Sequence, residues 1–218
     1  MLDYFSVLAR LNRQRKKVLE DTDNSDITRY LLRPFAELSE DLAEQRLLAI
    51  DFETTGLNPQ KDHIIAIGGV EVSDSKIALA TAFHHHVKSK HSLSGSNVAV
   101  HSITDTEVQA GLSLRQALLD LIKRCQGRQL LVHFSKIERE FLRASCKNCL
   151  GYEVPFQFVD TFDLGKSLLN RKDLPLTHDN LSLAGLRRRF HLPSFSGHHA
   201  LNDAIATAEL YLALKNNY

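Results

Sequence analysis

Two acidic residues, Asp51 and Glu53, follow an apolar segment and could bind a metal ion. Residues 47–50 (Leu-Leu-Ala-Ile) are typical of a buried strand, and the acids stand where such a strand leaves the core. Side chains alternate along a strand, so Asp51 and Glu53 point to the same face. Two like charges side by side repel unless a cation lies between them, and Mg²⁺ prefers carboxylate oxygens. This pattern alone fits a metal site and a pair of solvated acids equally well.

A third carboxylate, Asp203, stands close to the start of the last predicted helix, at about 200–214. The apolar residues after Asp203 predict that this helix packs on the sheet, which would bring Asp203 to a strand end. His198 precedes the helix, and an imidazole that titrates near neutral pH can take a proton from water. The alternatives are an acid stabilised by the helix dipole and an ordinary loop histidine.

The pattern from residue 47 onward predicts an α/β fold. Three strands, at 47–53, 64–72 and 77–87, have short connections and are expected to form an antiparallel meander. Helices are predicted at 104–108, 113–125, 135–149, 161–169, 181–190 and 200–214, with short strands at 130–132 and 156–159 between them. Strands followed by alternating helices and strands indicate a mixed sheet flanked by helices.

Composition indicates an ordinary globular protein in a reducing compartment. Hydrophobic residues make up 43% of the 218 residues, charged residues 24%, and the net charge is +1. Bulk charge therefore does not indicate a nucleic-acid partner. Three cysteines are too few and too odd in number for a disulfide framework, and no apolar run is long enough to cross a bilayer. We expect a cytoplasmic protein with no membrane partner.

The first 45 residues differ from the rest and are predicted to form a helical extension to one domain at 46–218. A basic cluster lies between Arg10 and Lys17, and a helix predicted at 27–42 is kinked or split by Pro34. The cluster could contact nucleic acid or a protein partner. The favoured alternative is the solvated face of an amphipathic helix.

Three motifs occur in the order found in one enzyme family. The first is Asp-Phe-Glu-Thr-Thr-Gly-Leu at 51–57, the second corresponds to residues 133–142, and the third runs from His198 to Asp203. Between the first two, residues 100–104 (Val-His-Ser-Ile-Thr) also resemble a segment of that family. From residue 47 to the C-terminus, the chain resembles the DEDDh family of 3′→5′ exonucleases. The first motif has the form typical of the proofreading (epsilon) subunit of bacterial DNA polymerase III, which this region resembles. The resemblance implies a ribonuclease H-like fold, with parallel strands beside the antiparallel meander.

The family's second motif is altered in this chain. It corresponds to residues 133–142, where Glu138 replaces the aspartate that the family places in its metal site. The longer glutamate keeps the carboxylate. Ser135 and Glu138 also form a capping-box pattern, in which Glu138 would bind the backbone N–H of Ser135. We expect Glu138 to serve the metal site.

The resemblance implies a two-metal phosphodiesterase. Asp51, Glu53, Glu138 and Asp203 would hold two Mg²⁺ or Mn²⁺ ions, one to activate water and one to stabilise the leaving 3′-oxygen. His198 would be the general base. The substrates would be single-stranded 3′ ends of DNA or RNA, and the products nucleoside 5′-monophosphates. The alternative is a catalytically weakened fold that binds nucleic acid or docks a partner.

Family positions also suggest how the terminal nucleotide is held. The expected substrate-binding residues are Thr54, Thr55, Gly56, Leu57, His101, Ile103 and Phe134. Core packing is the alternative for Leu57, Ile103 and Phe134. Arg187, Arg188 and Arg189 could receive the incoming backbone or form a solvated helix face.

Overall fold

A five-stranded mixed sheet forms the centre of the computed structural model, which describes residues 2–35, 45–89, 103–195 and 197–216. The strands are β1 (Leu47–Thr54), β2 (Ile64–Ser73), β3 (Lys76–His86), β4 (Gln129–Val132) and β5 (Phe158–Asp160). Their order across the sheet is β3-β2-β1-β4-β5. The first three strands pair antiparallel, while β4 is parallel to β1 and β5 is parallel to β4. This confirms the predicted mixed α/β sheet with its antiparallel meander.

Helices connect and cover these strands. In the described residues they are α1 (Leu2–Asp21), α2 (Ser25–Leu31), α3 (Asp105–Ala110), α4 (Leu114–Arg124), α5 (Lys136–Leu150), α6 (Thr161–Arg171), α7 (His178–Leu181), α8 (Leu183–Arg189) and α9 (Ala200–Lys215). Two helix starts follow from local sequence: Thr104 with Glu107 and Ser113 with Gln116 form complete capping boxes. None of the described helices is both long and apolar enough to cross a membrane.

Two predicted helices have other bounds in the structure. The helix expected at 27–42 is already complete at Leu31, three residues before Pro34, and residues 36–44 lie outside the described part. A proline ring cannot follow a continuing helix without a clash, which favours this early end. The helix expected at 181–190 is split at Ser182, which leaves helical geometry and whose side chain caps α8 by accepting from Gly185 N–H.

Alternation along β1 divides its side chains between two hydrophobic clusters. Leu48 and Ile50 belong to the larger cluster, which includes residues of α2, α4 and α5. Leu47 and Ala49 belong to a second cluster, with Ala208 and Tyr211 of α9. Asp51 continues the second set by alternation, so the face that carries it is the face on which α9 packs.

The N-terminal helices share the larger core. Val18 of α1 and Ile27, Tyr30 and Leu31 of α2 are buried in the cluster that also holds Leu48. The basic cluster of α1 is not uniform, because Arg15 is buried and donates from Nη1 to the carbonyl of Leu31 at 2.7 Å. That bond satisfies a carbonyl at the end of α2. The domain boundary near residue 45 stays a prediction.

A glycine on β2 allows α9 to approach the sheet closely. Gly68 is paired with Asp51 across the two strands. A Cβ built on Gly68 would overlap the backbone of Ala200 and Leu201, in the first turn of α9. The missing side chain therefore lets the start of α9 lie directly beside Asp51.

Candidate active site

Three carboxylates converge where β1 leaves the core. Oxygen atoms of Asp51, Glu53 and Asp203 all lie within 4.8 Å of one another. The first two come from the same face of β1, and Asp203 comes from the first turn of α9, which Gly68 admits beside Asp51. The structure thus brings Asp203 to the pair Asp51 and Glu53, although it lies 150 residues after Glu53 in the sequence.

Glu138 reaches the same cleft from the first turn of α5. Its side chain is buried, and its Oε2 has no hydrogen-bond partner among the described residues. The capping box expected between Ser135 and Glu138 does not form, because Ser135 makes no side-chain capping bond. The Ser135 N–H instead donates to Asp160 Oδ2 at 2.7 Å, so Glu138 is not drawn back to the helix end.

Asp160 positions the junction between β4 and α5. Its Oδ1 accepts from the N–H groups of Phe134 and Phe162, both at 2.9 Å, and its Oδ2 accepts from Ser135. Phe134 is held at a φ of 69°, a left-handed conformation that is unusual for a bulky residue. Local sequence does not indicate this role, since an acid before a helix is normally only its cap.

The pKa values of the crowded carboxylates are raised. Burial, followed by the charges of Glu138, Asp203 and Glu53, raises the pKa of Asp51 well above its usual value. Burial and the charge of Asp203 raise the pKa of Glu53 to about 8. Burial also raises the pKa of Glu138 to about 8. Ionisation of all the acids therefore requires positive charge in the cleft.

The donor set fits a hard divalent cation. In the described part of the chain, Asp203 Oδ1 and Glu138 Oε2 are buried without a hydrogen-bond donor. Buried carboxylate oxygens without donors are costly, and a cation would satisfy them while removing the repulsion. Oxygen-only ligands of this kind suit Mg²⁺ or Mn²⁺ better than softer metals.

His198 stands at the entrance to the cleft. It is exposed and has a φ of 63°, and its backbone N–H donates to Asp203 Oδ2 at 3.0 Å. The carboxylate of Asp203 therefore fixes the backbone of the histidine through Oδ2, while its Oδ1 is buried without a hydrogen-bond partner among the described residues. An exposed imidazole at this position can meet a water molecule or a substrate that enters the cleft.

The cleft has a volume of about 410 Å³ and includes part of the loop after β1. Thr54, Gly56 and Leu57 line it together with the four acids and His198. The hydroxyl of Thr54 donates to the carbonyl of Gly56 at 2.8 Å, which holds the loop in its turn. Leu57 is 75% exposed, so core packing, the alternative considered for this residue, is wrong.

Other predicted contact residues lie elsewhere. Thr55 accepts from the N–H of His63 at 3.0 Å and is not on the cleft wall. Ile103 is buried in a core cluster with Ile65 and Ala200, which favours packing over substrate contact. Phe134 is 43% exposed beside the cleft and makes an edge contact with Phe162. His101 lies outside the described residues.

Arg187 was predicted to receive nucleic acid or to face solvent, and both expectations are wrong. It is buried, donates to the carbonyls of Ala206 and Pro193, and pairs with Glu209 at 2.7 Å. It therefore joins α8 to α9 and supports the helix that carries Asp203. Arg188 is exposed and pairs with Asp179.

His133 is the first residue of the altered second motif, and the sequence does not predict a role for it. It lines the acidic cleft at the end of β4, and its Nδ1 lies 2.9 Å from Thr161 Oγ1. Burial lowers its pKa, which favours a neutral ring. Its place directly after a strand was the available signal, since strand ends gather functional residues in α/β folds.

The mixed sheet and its acidic cleft together are those of an exonuclease domain. The sequence profile of the exonuclease family (RNase_T) matches residues 48–211, so the chain belongs to that family. The matched region begins at β1 and ends within α9, and it contains all four clustered acids.

Two relatives are replication proteins. DNA polymerase III PolC-type of Thermotoga petrophila is 30% identical over 165 residues, which are 76% of this chain but 11% of that protein. DNA polymerase III subunit epsilon of Rickettsia prowazekii is 27% identical over 178 residues, which cover 79% of this chain and 75% of that subunit. The chain thus spans about a tenth of the PolC-type relatives that it matches.

A solved structure shares the fold. The nuclease domain of 3′hExo, described as a DEDDh family member bound to rAMP, superposes with a TM-score of 0.67 and 20% identity. The match covers 81% of this chain and 94% of that domain. The predicted ribonuclease H-like architecture is therefore confirmed.

Replacement of Gly68 by alanine should displace the start of α9. The added methyl overlaps the backbone of the first turn, so both the free energy of unfolding and the affinity for Mn²⁺ should fall. Urea denaturation and isothermal titration with Mn²⁺ measure the two effects. Gly127→Ala is the matched control: Gly127 has a φ of 70° and open space around it, so this change should cost about 1 kcal/mol without weakening Mn²⁺ binding. Equal Mn²⁺ affinity in both variants would contradict the role assigned to Gly68.

The metal-free protein should lose stability as pH rises from 6.5 to 8. In this range the unfolded chain has ionised carboxylates, whereas folded Glu53 and Glu138 still bind protons because their pKa values are about 8. The folded state binds more protons, so its stability falls with increasing pH, by roughly 3 kcal/mol for the two groups together. Thermal melts in EDTA test this. Glu138→Gln should flatten the pH dependence, and added Mg²⁺ should oppose it.

Proposed function

We propose that the chain is a metal-dependent 3′→5′ exonuclease that hydrolyses the terminal phosphodiester of single-stranded DNA or RNA ends. One observation supports this above all others: acids from β1, α5 and α9 meet in one cleft with an exposed histidine at its entrance. The products would be nucleoside 5′-monophosphates.

The acids would hold the cations that the reaction needs. Oxygen ligands for two Mg²⁺ or Mn²⁺ ions would come from Asp51, Glu53, Asp203 and Glu138. Asp51 is the central acid, because the charges of the other three all act on it. Such ions would lower the pKa of water and offset negative charge on the phosphodiester and on the leaving 3′-oxygen. The protein's own contribution is the fixed placement of these ligands on three separate elements.

His198 would accept the proton of the attacking water. Its backbone is held by Asp203, and its side chain is exposed at the mouth of the cleft, where it can reach a water molecule beside the scissile phosphate. A neutral imidazole is a suitable base near pH 7.

The loop after β1 would hold the terminal nucleotide. Leu57 presents an apolar side chain at the edge of the cleft, where it could pack against a base, and Thr54 and Gly56 shape the wall beside it. Phe134, which follows the cleft residue His133 and is supported by Phe162, offers an exposed aromatic surface for a base. Thr55 and Ile103 do not line the cleft and are not part of this proposal, whereas substrate contact by His101, outside the described residues, stays a prediction.

A second candidate function is nucleic-acid binding without catalysis. The observation that favours it is the glutamate at 138, where the family uses aspartate. The other three acids and His198 at the cleft argue against a purely binding function, because a binding module needs neither a general base nor a set of cation ligands.

Oligonucleotides labelled at the 3′ or the 5′ end separate the two functions. DNA and RNA strands incubated with Mg²⁺ or Mn²⁺ should shorten from the 3′ end and release nucleoside 5′-monophosphates, and EDTA should stop the reaction. Asp203→Asn keeps an oxygen for the His198 N–H but removes the charge, and should lower the rate by at least roughly 100-fold. If neither strand shortens with either metal, the catalytic proposal is wrong.

Substitutions at Glu138 test its place in the metal site. Glu138→Asp restores the family's residue and should keep activity within about 10-fold, because the carboxylate remains. Glu138→Ala should lower the rate by roughly 100-fold, since it removes a ligand. Circular dichroism melts control for folding. Full activity of the alanine variant, in a folded protein, would exclude Glu138 from the site.

A further inference from the structure

A second cleft, of about 400 Å³, lies between α1 and α5 and shares no lining residue with the catalytic cleft. Arg10 of α1 and Arg139 and Arg143 of α5 line it, and the ring of Phe158 forms part of the wall. The cleft therefore joins the N-terminal helix, which precedes the matched family region, to the helix that carries Glu138.

The three arginines are arranged to meet an extended anion. Arg139 and Arg143 are one helical turn apart, so they lie on the same side of α5 and about 6 Å apart along its axis. Arg10 approaches from α1. Burial and the charge of Arg10 lower the pKa of Arg139, against the opposite effect of the charges of Asp160 and Asp163. Cations that crowd together in this way are stabilised by a bound anion.

The three arginines of the wall are not held in ion pairs within the described part of the chain. Among the described residues, none forms an ion pair with Arg10, Arg139 or Arg143. Asp160 and Asp163 act on Arg139 from outside the wall. Within the wall, three arginines face two glutamates, of which Glu153 pairs with Lys147 at 3.2 Å.

An aromatic ring accompanies the arginines. The guanidinium of Arg139 lies over the ring of Phe158 at 4.4 Å from its centroid, which holds the side chain in place. Cations interleaved with an aromatic ring are a typical surface for single-stranded nucleic acid, where phosphates meet the charges and bases meet the rings.

The second cleft is close to the catalytic one. Arg139 directly follows Glu138 in α5. Arg143 lies five residues after Glu138, which is about 7.5 Å along the helix axis. A strand whose 3′ end lies in the catalytic cleft needs only to pass around α5 to reach these arginines.

We propose that the cleft between α1 and α5 binds the phosphate backbone of a single strand a few nucleotides from its 3′ end. This subsite rests on the proposed exonuclease function, since it takes the part of the substrate that the catalytic cleft leaves outside. It gives the N-terminal helix a role in substrate affinity and makes long strands better substrates than short ones.

The kinetic test compares a long and a short substrate. The double variant Arg10→Ala/Arg143→Ala should raise KM for a 20-nucleotide strand about 10-fold with kcat unchanged, because the contact is the same in the ground and transition states. Hydrolysis of the p-nitrophenyl ester of thymidine 5′-monophosphate, which is confined to the catalytic cleft, should not change. Arg13→Ala is the matched control, since Arg13 is an exposed arginine of α1 that does not line the cleft.

A binding test does not depend on catalysis. In EDTA and an Asp203→Asn background, fluorescence anisotropy with the labelled strand should show weaker binding by the double variant. Its slope of log affinity against log salt should be smaller by about 1 to 2, as expected for lost phosphate contacts. Arg10→Lys/Arg143→Lys should restore the slope because it keeps both charges. Both arginines are exposed, and thermal melts verify that the variants fold.

The outcomes distinguish the two proposals. If the double variant matches the unchanged chain in KM and salt slope for the long strand, the subsite is overturned. If the unchanged chain hydrolyses neither substrate, the exonuclease function fails, and the anisotropy measurements alone then support or overturn the subsite.

Discussion

Repulsion among buried carboxylates is the constraint on which the rest of this structure depends. Asp51, Glu53 and Asp203 place oxygens within 4.8 Å of one another, and Glu138 adds its charge to that of Asp51. Such a cluster is unfavourable in isolation, because burial and like charge both disfavour the ionised form. It persists only where the surrounding fold supplies more stability than the cluster removes, and where a cation can balance it.

The fold supplies this stability by placing the four acids on three elements that are each packed into the core: β1, α5 and α9. β1 is buried on both faces, α9 packs its apolar side chains on one of them, and α5 packs on the other. Gly68 admits the start of α9, Arg187 ties that helix to α8, and Asp160 fixes the junction before α5. The acids therefore cannot relax apart, and the site is preorganised for cations and for an anionic substrate.

The helix α1 precedes the region that matches the family, yet it packs on the same core as the acid-bearing strand β1. Its apolar side enters the same core as β1, and its arginines are not equivalent. Arg15 is buried and satisfies the end of α2, whereas Arg10 faces Arg139 and Arg143 across a cleft. The basic cluster at 10–17 therefore contains both a structural residue, Arg15, and a candidate binding residue, Arg10.

The sequence by itself determined the local features of this protein. The apolar run before Asp51, the capping boxes at Thr104 and Ser113, and the motif order all depend on neighbours in the chain, and the structure bears out the strands, the helix starts and the mixed sheet. The tertiary structure alone decided the rest. Whether Glu138 caps its helix or faces the acids depends on Asp160, and whether Arg187 meets solvent or buried carbonyls depends on α9. Leu57 and Ile103, both apolar and both candidates for substrate contact, differ only in what packs over them. These are long-range contacts between residues distant in sequence, which local propensity and spacing do not encode.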